Sequence, residues 1–210
     1  MRELKLMIPG PVDCYEDVLA EMSSAVLPHY GKDWLEIYCE TVALLKEIFR
    51  TQNDLYIMVA PGTPALEAAM ASLVASNEGI LVVANGFFSA RLGVVARSYG
   101  IETHVLEFPL GKSADPQRIR DYLKANGGIE AVVVAHHETS TTVVNPVREI
   151  AAVAHEFDLP IIVDAISSLG GMPVPVDEWD LDVVVTVANK CLETPPGLAP
   201  LSVSERAWRV

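Results

Sequence analysis

The sequence predicts an α/β fold: a mostly parallel, seven-stranded sheet sandwiched by helices. Three observations point there. Short runs rich in Val, Ile and Leu alternate with stretches whose apolar residues recur at helical spacing. The connections between them are short, which makes successive strands parallel and puts helices on both faces. The polar residues able to do chemistry fall just after the apolar runs, at what would be one edge of the sheet.

Composition agrees. Half of the 210 residues are hydrophobic and only 7% are aromatic, which suits an aliphatic core between parallel strands. A chain of this length makes one or two domains with a sizeable core. The formal net charge is −13 and no Lys/Arg-rich run exists, so sequence-independent nucleic-acid binding is not expected. Cys14, Cys39 and Cys191 are widely spaced with no CxxC pattern, which favours a reduced, cytoplasmic protein. The first nine residues are too weakly apolar for a signal peptide. No run approaches the roughly 18 apolar residues of a membrane span.

The elements follow in order. Pro9-Gly10-Pro11 makes a rigid extended turn. Residues 15–26 read as a helix with Val18, Leu19, Met22 and Val26 on one face. After a break at 27–31, a second helix runs over 33–49 with Asp33 as N-cap. Its Trp34, Ile37, Tyr38, Leu44, Leu45 and Ile48 suit packing on a core or on a partner. The first strand, 55–59, enters Ala60-Pro61-Gly62-Thr63-Pro64 and then a helix over 65–74. The amides of Gly62 and Thr63 would lie free at that helix's N-terminus, where an anion binds. Pro64 fits the first turn because its missing N–H costs nothing there. Neither GxxxxGK[ST] nor GxGxxG is present, which disfavours a Rossmann-type nucleotide binder.

A second strand covers 79–84, Asn85-Gly86 turns, and 87–99 is helical. Phe87 and Phe88 at that mouth could stack on a flat ligand or pack into the core. The third strand is 101–108; Asp115-Pro116 opens a helix to 125, and Asn126-Gly127-Gly128 closes it. The fourth strand, 129–135, stops at a polar loop, 136–142. His136, His137 and Glu138 there lack a third ligand at zinc spacing, so no metal is expected. A helix over 147–157 leads to the fifth strand, 161–163, and the sixth is 182–186. The seventh, 198–203, contains Pro200, which argues for an edge or a bulge.

Asp164 and Lys190 each sit just beyond a buried run. Open α/β sheets bind ligands outside the carboxyl ends of their strands. A lysine at that rim can be a loop charge, and an aspartate can be a cap. A partly desolvated lysine is also a usable amine for Schiff-base chemistry, and an aspartate beside it can keep a pyridine nitrogen protonated. That pair is what pyridoxal phosphate asks of a protein.

Further motifs carry a resemblance. Pro-Gly-Pro near the start, Gly-Thr before Leu-Glu-Ala-Ala, Asn-Gly-Phe-Phe, His-Glu-Thr, Val-Asp-Ala-Ile-Ser-Ser-Leu-Gly-Gly, Asn-Lys-Cys and Pro-Pro-Gly-Leu occur in that order. From about residue 8 to 208 the chain resembles the class V aminotransferases of fold type I. The branches it is similar to are the alanine/serine–glyoxylate, 2-aminoethylphosphonate–pyruvate and pyridoxamine–pyruvate aminotransferases.

The resemblance implies pyridoxal 5'-phosphate as cofactor and transfer of an amino group from a small amino donor to glyoxylate or pyruvate. Lys190 would form the Schiff base and shuttle the proton, and Asp164 would pair with the pyridinium nitrogen. Phe88 matches the stacking position, Ile166 the position beneath the ring, and Thr139 the hydroxyl near O3'. Gly62, Thr63 and Asn189 match the phosphate cup. Residues 1–30 would be an N-terminal arm and helix, and residues 31–210 the cofactor-binding large domain. A homodimer is implied, joined through the N-terminal segment and the 33–49 helix.

Departures follow. Pro61-Gly62 stands where many relatives have Ser-Gly, so one phosphate donor is lost. His136-His137-Glu138-Thr139 and Asn189-Lys190-Cys191-Leu192 echo the pyridoxamine–pyruvate branch, whereas Gly62-Thr63 favours a phosphorylated cofactor. Relatives carry a further C-terminal domain with the arginine that grips the substrate carboxylate, and no arginine here is assigned that role. A fragment, a truncated gene product or one part of a split enzyme is therefore expected, able to hold the cofactor alone without turning over. The alternatives are a pyridoxamine–pyruvate-type transaminase, a same-fold lyase or desulfurase, and a non-catalytic binding module. Cys191 is expected to be buried and structural, which disfavours the desulfurase.

Overall fold

The computed structural model describes residues 5–210. Along the chain run α1 (Glu16–Glu21), α2 (Lys32–Phe49), β1 (Asp54–Met58), α3 (Gly62–Leu73), β2 (Gly79–Ala84), α4 (Phe87–Ser98) and β3 (Glu102–Glu107). Then come α5 (Pro116–Ala125), β4 (Ile129–Ala135), a two-residue ribbon of β5 (His137–Glu138) and β6 (Val143–Val144), and α6 (Val147–His155). β7 (Ile161–Asp164), β8 (Val183–Val185), β9 (Ala199–Val203) and a 3₁₀ turn (Ala207–Arg209) complete it.

Seven strands form one sheet in the order β1-β9-β8-β7-β4-β2-β3. The neighbours from β8 to β3 pair in parallel, and β9 runs antiparallel to both β8 and β1. Six of the seven strands therefore point one way. Burial on the strands explains the layers. In β2, Ile80 and Val82 pack on one face while Leu81 and Val83 pack on the other, all fully buried. A strand buried on both sides needs helices on both sides. α3 and α4 cover one face through Leu66, Met70, Leu92 and Ala96. The last turns of α2, with α5 and α6, cover the other through Leu45, Phe49, Ile119 and Ile150.

The order also creates a switch point. From β2 the chain moves outward to β3, then returns to the other side of β2 as β4. Loops leaving β2 and β4 part there and open a crevice at the carboxyl ends of the strands.

Several expectations are corrected. The first helix spans only residues 16–21 and none of its residues is buried; Met22 and Val26 are exposed. Asp33 does not cap α2: the cap is Gly31, no side chain bonds there, and Asp33 lies in the first turn. The polar loop 136–142 begins and ends in the β5–β6 ribbon. Pro200 is not on an edge, since β9 lies between β1 and β8. It is tolerated because β8 pairing ends at Val185 opposite Leu201, one residue short of Pro200. The Pro200 carbonyl still accepts from Thr186 N–H at 2.9 Å.

Candidate active site

β7, β8 and the loops after β1, β2 and β4 all end on one cleft of about 230 Å³. Gly62, Thr63, Phe88, Thr139, Asp164, Ile166, Asn189 and Lys190 all line it. Residues spread over more than half the chain meet because parallel strands deliver their exits to one edge.

Asp164 ends β7, and its Oδ1 accepts from Ile166 N–H at 3.0 Å. Burial pushes its carboxyl up from 3.8 to about 6. The Ile166 N–H opposes that rise, the Glu138 charge adds to it and the Lys190 charge opposes it. A protonated carboxyl here can donate a hydrogen bond, and an ionised one can hold a cation.

Lys190 sits in a loop pinned by Ala188 N–H to Leu198 O at 3.0 Å and Glu193 N–H to Lys190 O at 3.0 Å. Its Nζ donates to Pro9 O at 2.7 Å. The Pro9-Gly10-Pro11 turn thus lies over the amine, and a Cβ on Gly10 would collide with the Lys190 side chain.

The N-terminus of α3 has no side-chain cap. Gly62 opens that helix, buried against Ile166 and Val187 so closely that a Cβ would overlap the Ile166 side chain and lie 2.8 Å from Val187 Cγ1. Uncapped amides, a close backbone approach and the Thr63 hydroxyl gather at this end of the cleft, a donor set of the kind that suits an anion. Phe88 is half-exposed on the cleft wall, while Phe87 turns outward and meets it edge-on with centroids 5.2 Å apart. The Thr139 hydroxyl donates to Ser167 Oγ at 2.7 Å.

The histidines separate. His136 is buried, 3.0 Å from Ser168 Oγ; burial and then the His137 charge lower it to about 4. His137 lines the cleft with a buried Nδ1 that has no partner among the described residues. Among those residues no cluster of three His, Cys, Asp or Glu could hold a metal.

Sequence reasoning missed Pro9, Arg91, His137 and Ser167 at the cleft. Arg91 carried a signal, since it falls three residues after Phe88 and shares its helix face. It lines the cleft and makes no ion pair among the described residues. Pro9 carried none, because its contact spans 181 positions.

Cys191 is partly buried, its Sγ 3.9 Å from Ser167 O and packed against Gly171. Burial pushes its thiol up, the Lys190 charge opposes that and the Glu193 charge adds to it.

The Aminotransferase class-V family matches residues 11–209. An uncharacterized aminotransferase of Methanocaldococcus jannaschii is 38% identical over 98% of this chain and 53% of its own length. The pyridoxamine–pyruvate transaminase of Mesorhizobium japonicum is 36% identical over 95% of this chain and 51% of its own. The crystal structure of ureidoglycine–glyoxylate aminotransferase from Bacillus subtilis superposes with a TM-score of 0.94 at 33% identity, covering all of this chain and 54% of that one. The chain thus spans about half the length of the curated relatives it matches.

Proposed function

Because the chain belongs to the class V aminotransferase family, we propose that it is the cofactor-binding large domain, residues 31–210, of a pyridoxal 5'-phosphate-dependent transaminase. The observation that carries this is the convergence of one amine, one partly buried carboxyl and one uncapped helix N-terminus on a single cleft. The residues suit the group: an anion cradle at Gly62 and Thr63, an aromatic face at Phe88 and a branched aliphatic side chain at Ile166.

When bound, the cofactor supplies an aldehyde for the lysine amine and a ring that accepts the electron pair released at the substrate Cα. Gly62 and Thr63 amides, with Asn189, would hold its phosphate. Asp164 would pair with the ring nitrogen, and a positive ring there would offset the burial that otherwise favours its neutral form. Thr139, whose hydroxyl donates to Ser167 Oγ, would lie on the side of the ring hydroxyl. Lys190, whose Nζ donates to Pro9 O at 2.7 Å, would be the amine that joins the cofactor and the base that handles the substrate Cα proton. The pairing of relatives that use pyruvate and glyoxylate supports a small amino donor and one of those 2-oxo acids as acceptor. A homodimer, joined through the N-terminal segment and α2, and a cytoplasmic location belong to the same proposal. No helix among the described residues is long and apolar enough to cross a membrane.

A same-fold desulfurase needs a reactive cysteine, and the raised thiol of Cys191 disfavours it. The test is an absorption spectrum with added pyridoxal 5'-phosphate, followed by borohydride reduction and peptide mapping. The adduct is expected on Lys190 and absent in Lys190→Ala. A folded wild-type chain with no band, or an adduct spread over surface lysines, would overturn the proposal.

A further inference from the structure

The first turn of α4, which carries Phe88, is capped from outside. A helix leaves its leading N–H groups without internal partners. Phe87 N–H donates to Ser140 Oγ at 2.9 Å, Phe88 N–H to Glu138 Oε1 at 3.3 Å and Ser89 N–H to Glu138 Oε2 at 2.7 Å. Glu138 also accepts from Ser140 N–H at 3.1 Å and from the Ser140 hydroxyl at 2.6 Å.

Glu138 is completely buried. An isolated carboxylate there would take a proton, and burial does push it that way. The bonds from Ser140 and Ser89 outweigh burial and hold it below its usual range, so the charge persists. Gly86 permits the approach, because a Cβ there would collide with the Glu138 carboxyl. This end of α4 is thus filled by the protein's own anion, whereas the N-terminus of α3 has no side-chain cap. Both sequence neighbours of Glu138, His137 and Thr139, line the cleft, as does its partner Phe88. His136, two residues before Glu138, donates its N–H to Asp164 O at 2.9 Å, which brings the segment bearing Glu138 alongside Asp164, whose carboxyl that charge helps to raise.

We propose that Glu138 is a positioning residue of this cleft: its buried carboxylate ties the helix bearing Phe88 to the strand end bearing Thr139 and presents a fixed negative charge to Asp164. The charges that act on Asp164 are Glu138 from β5 and Lys190 from the loop after β8. His137 and Arg91 share the same cleft wall. A residue serving only to cap α4 would affect stability without touching the protonation of Asp164.

The experiment compares wild type, Glu138→Gln and Glu138→Asp, cofactor-free, by carboxyl NMR of aspartate-labelled protein, with Asp164→Asn to assign the signal. Glu138→Gln keeps the size and loses the charge, so the Asp164 midpoint is expected to fall from its value near 6. In Glu138→Asp the charge stays and the midpoint remains raised. An unchanged midpoint in a folded Glu138→Gln chain would overturn the inference.

A second readout rests on the proposed cofactor: the dissociation constant for pyridoxal 5'-phosphate, followed by absorbance. Loss of charge-assisted bonds to α4 is expected to weaken it by roughly tenfold in Glu138→Gln, with partial recovery in Glu138→Asp. Ser140→Ala removes a donor to Glu138 and the acceptor for Phe87 N–H, so it should weaken binding in the same direction. Failure of the wild-type chain to bind would sink the cofactor reading, and the NMR comparison would still decide the role of Glu138.

Discussion

Replacing Asp164 by Asn should make the cofactor-free chain more stable at neutral pH. The folded chain raises the Asp164 carboxyl from 3.8 to about 6. Below both values the group is protonated in the folded and unfolded states alike, and its ionisation favours neither. As pH rises past 3.8, the unfolded chain ionises first and gains stability that the folded chain does not share. Stability is therefore lost between about pH 4 and 6 and stays lost above. Two pH units at about 1.4 kcal/mol each make roughly 3 kcal/mol. Asn is nearly isosteric, has no charge to desolvate, and its oxygen can still accept the 3.0 Å bond from Ile166 N–H. Urea unfolding of both chains from pH 4 to 8 tests this. The Asp164→Asn variant should be favoured by about 3 kcal/mol at pH 7.5, a midpoint shift of about 1.5 M with a slope of about 2 kcal/mol per M, and the difference should vanish near pH 4. Added pyridoxal 5'-phosphate should narrow the gap by stabilising wild type more. A variant equal to or weaker than wild type at pH 7.5, or a difference independent of pH, would refute the reasoning.

Other outcomes are expected. Gly62→Ala forces a Cβ into Ile166 and Val187, so α3 must back away from the cleft; phosphate-bearing pyridoxal should lose far more affinity than pyridoxal itself, measured by absorbance titration. Asp182 is fully buried and bonded to His155, Ile161 N–H, Ser204 and Arg206, so Asp182→Ala leaves Arg206 short of a partner and should cost about 3–5 kcal/mol in urea unfolding. Burial pushes the Asp182 carboxyl up, but the bonds from His155, Ile161 N–H and Ser204 outweigh it and hold it below its usual range, so its contribution is present at neutral pH and fades as pH falls below about 4. Exposed Cys39 should react with a thiol reagent at pH 8 before Cys191, whose thiol is raised by burial; equal rates by mass spectrometry would count against that packing.

Much of the fold and the site is legible in the chain because the relevant signals are local. Runs such as those around Val82 and Val163 are apolar at every position, which fits only strands covered on both faces. The Gly62-Thr63 turn announces a helix N-terminus, and Asp115-Pro116 a capped start in which Asp115 accepts from Gln117 N–H. The misses are long-range. Residues 15–26 have helical periodicity but bury none of the helix's apolar face among the described residues, and only a short helix forms. Pro200 reads as an edge residue because strand order is invisible until pairing is known. Glu138 reads only as a metal-ligand candidate beside two histidines, since nothing in its own segment announces the helix it caps from 49 residues away.

By itself, the sequence determined the succession of strands and helices and the placing of Asp164 and Lys190 at strand ends. Periodicity, turn chemistry and burial pattern act over a few residues, and local interactions decide them. Only the tertiary structure decided that β9 enters between β1 and β8, that Pro9 O holds Lys190 Nζ, and that Glu138, Arg91 and His137 gather around the cleft. Those outcomes depend on which strands pair and in which register, a choice made by packing the whole sheet.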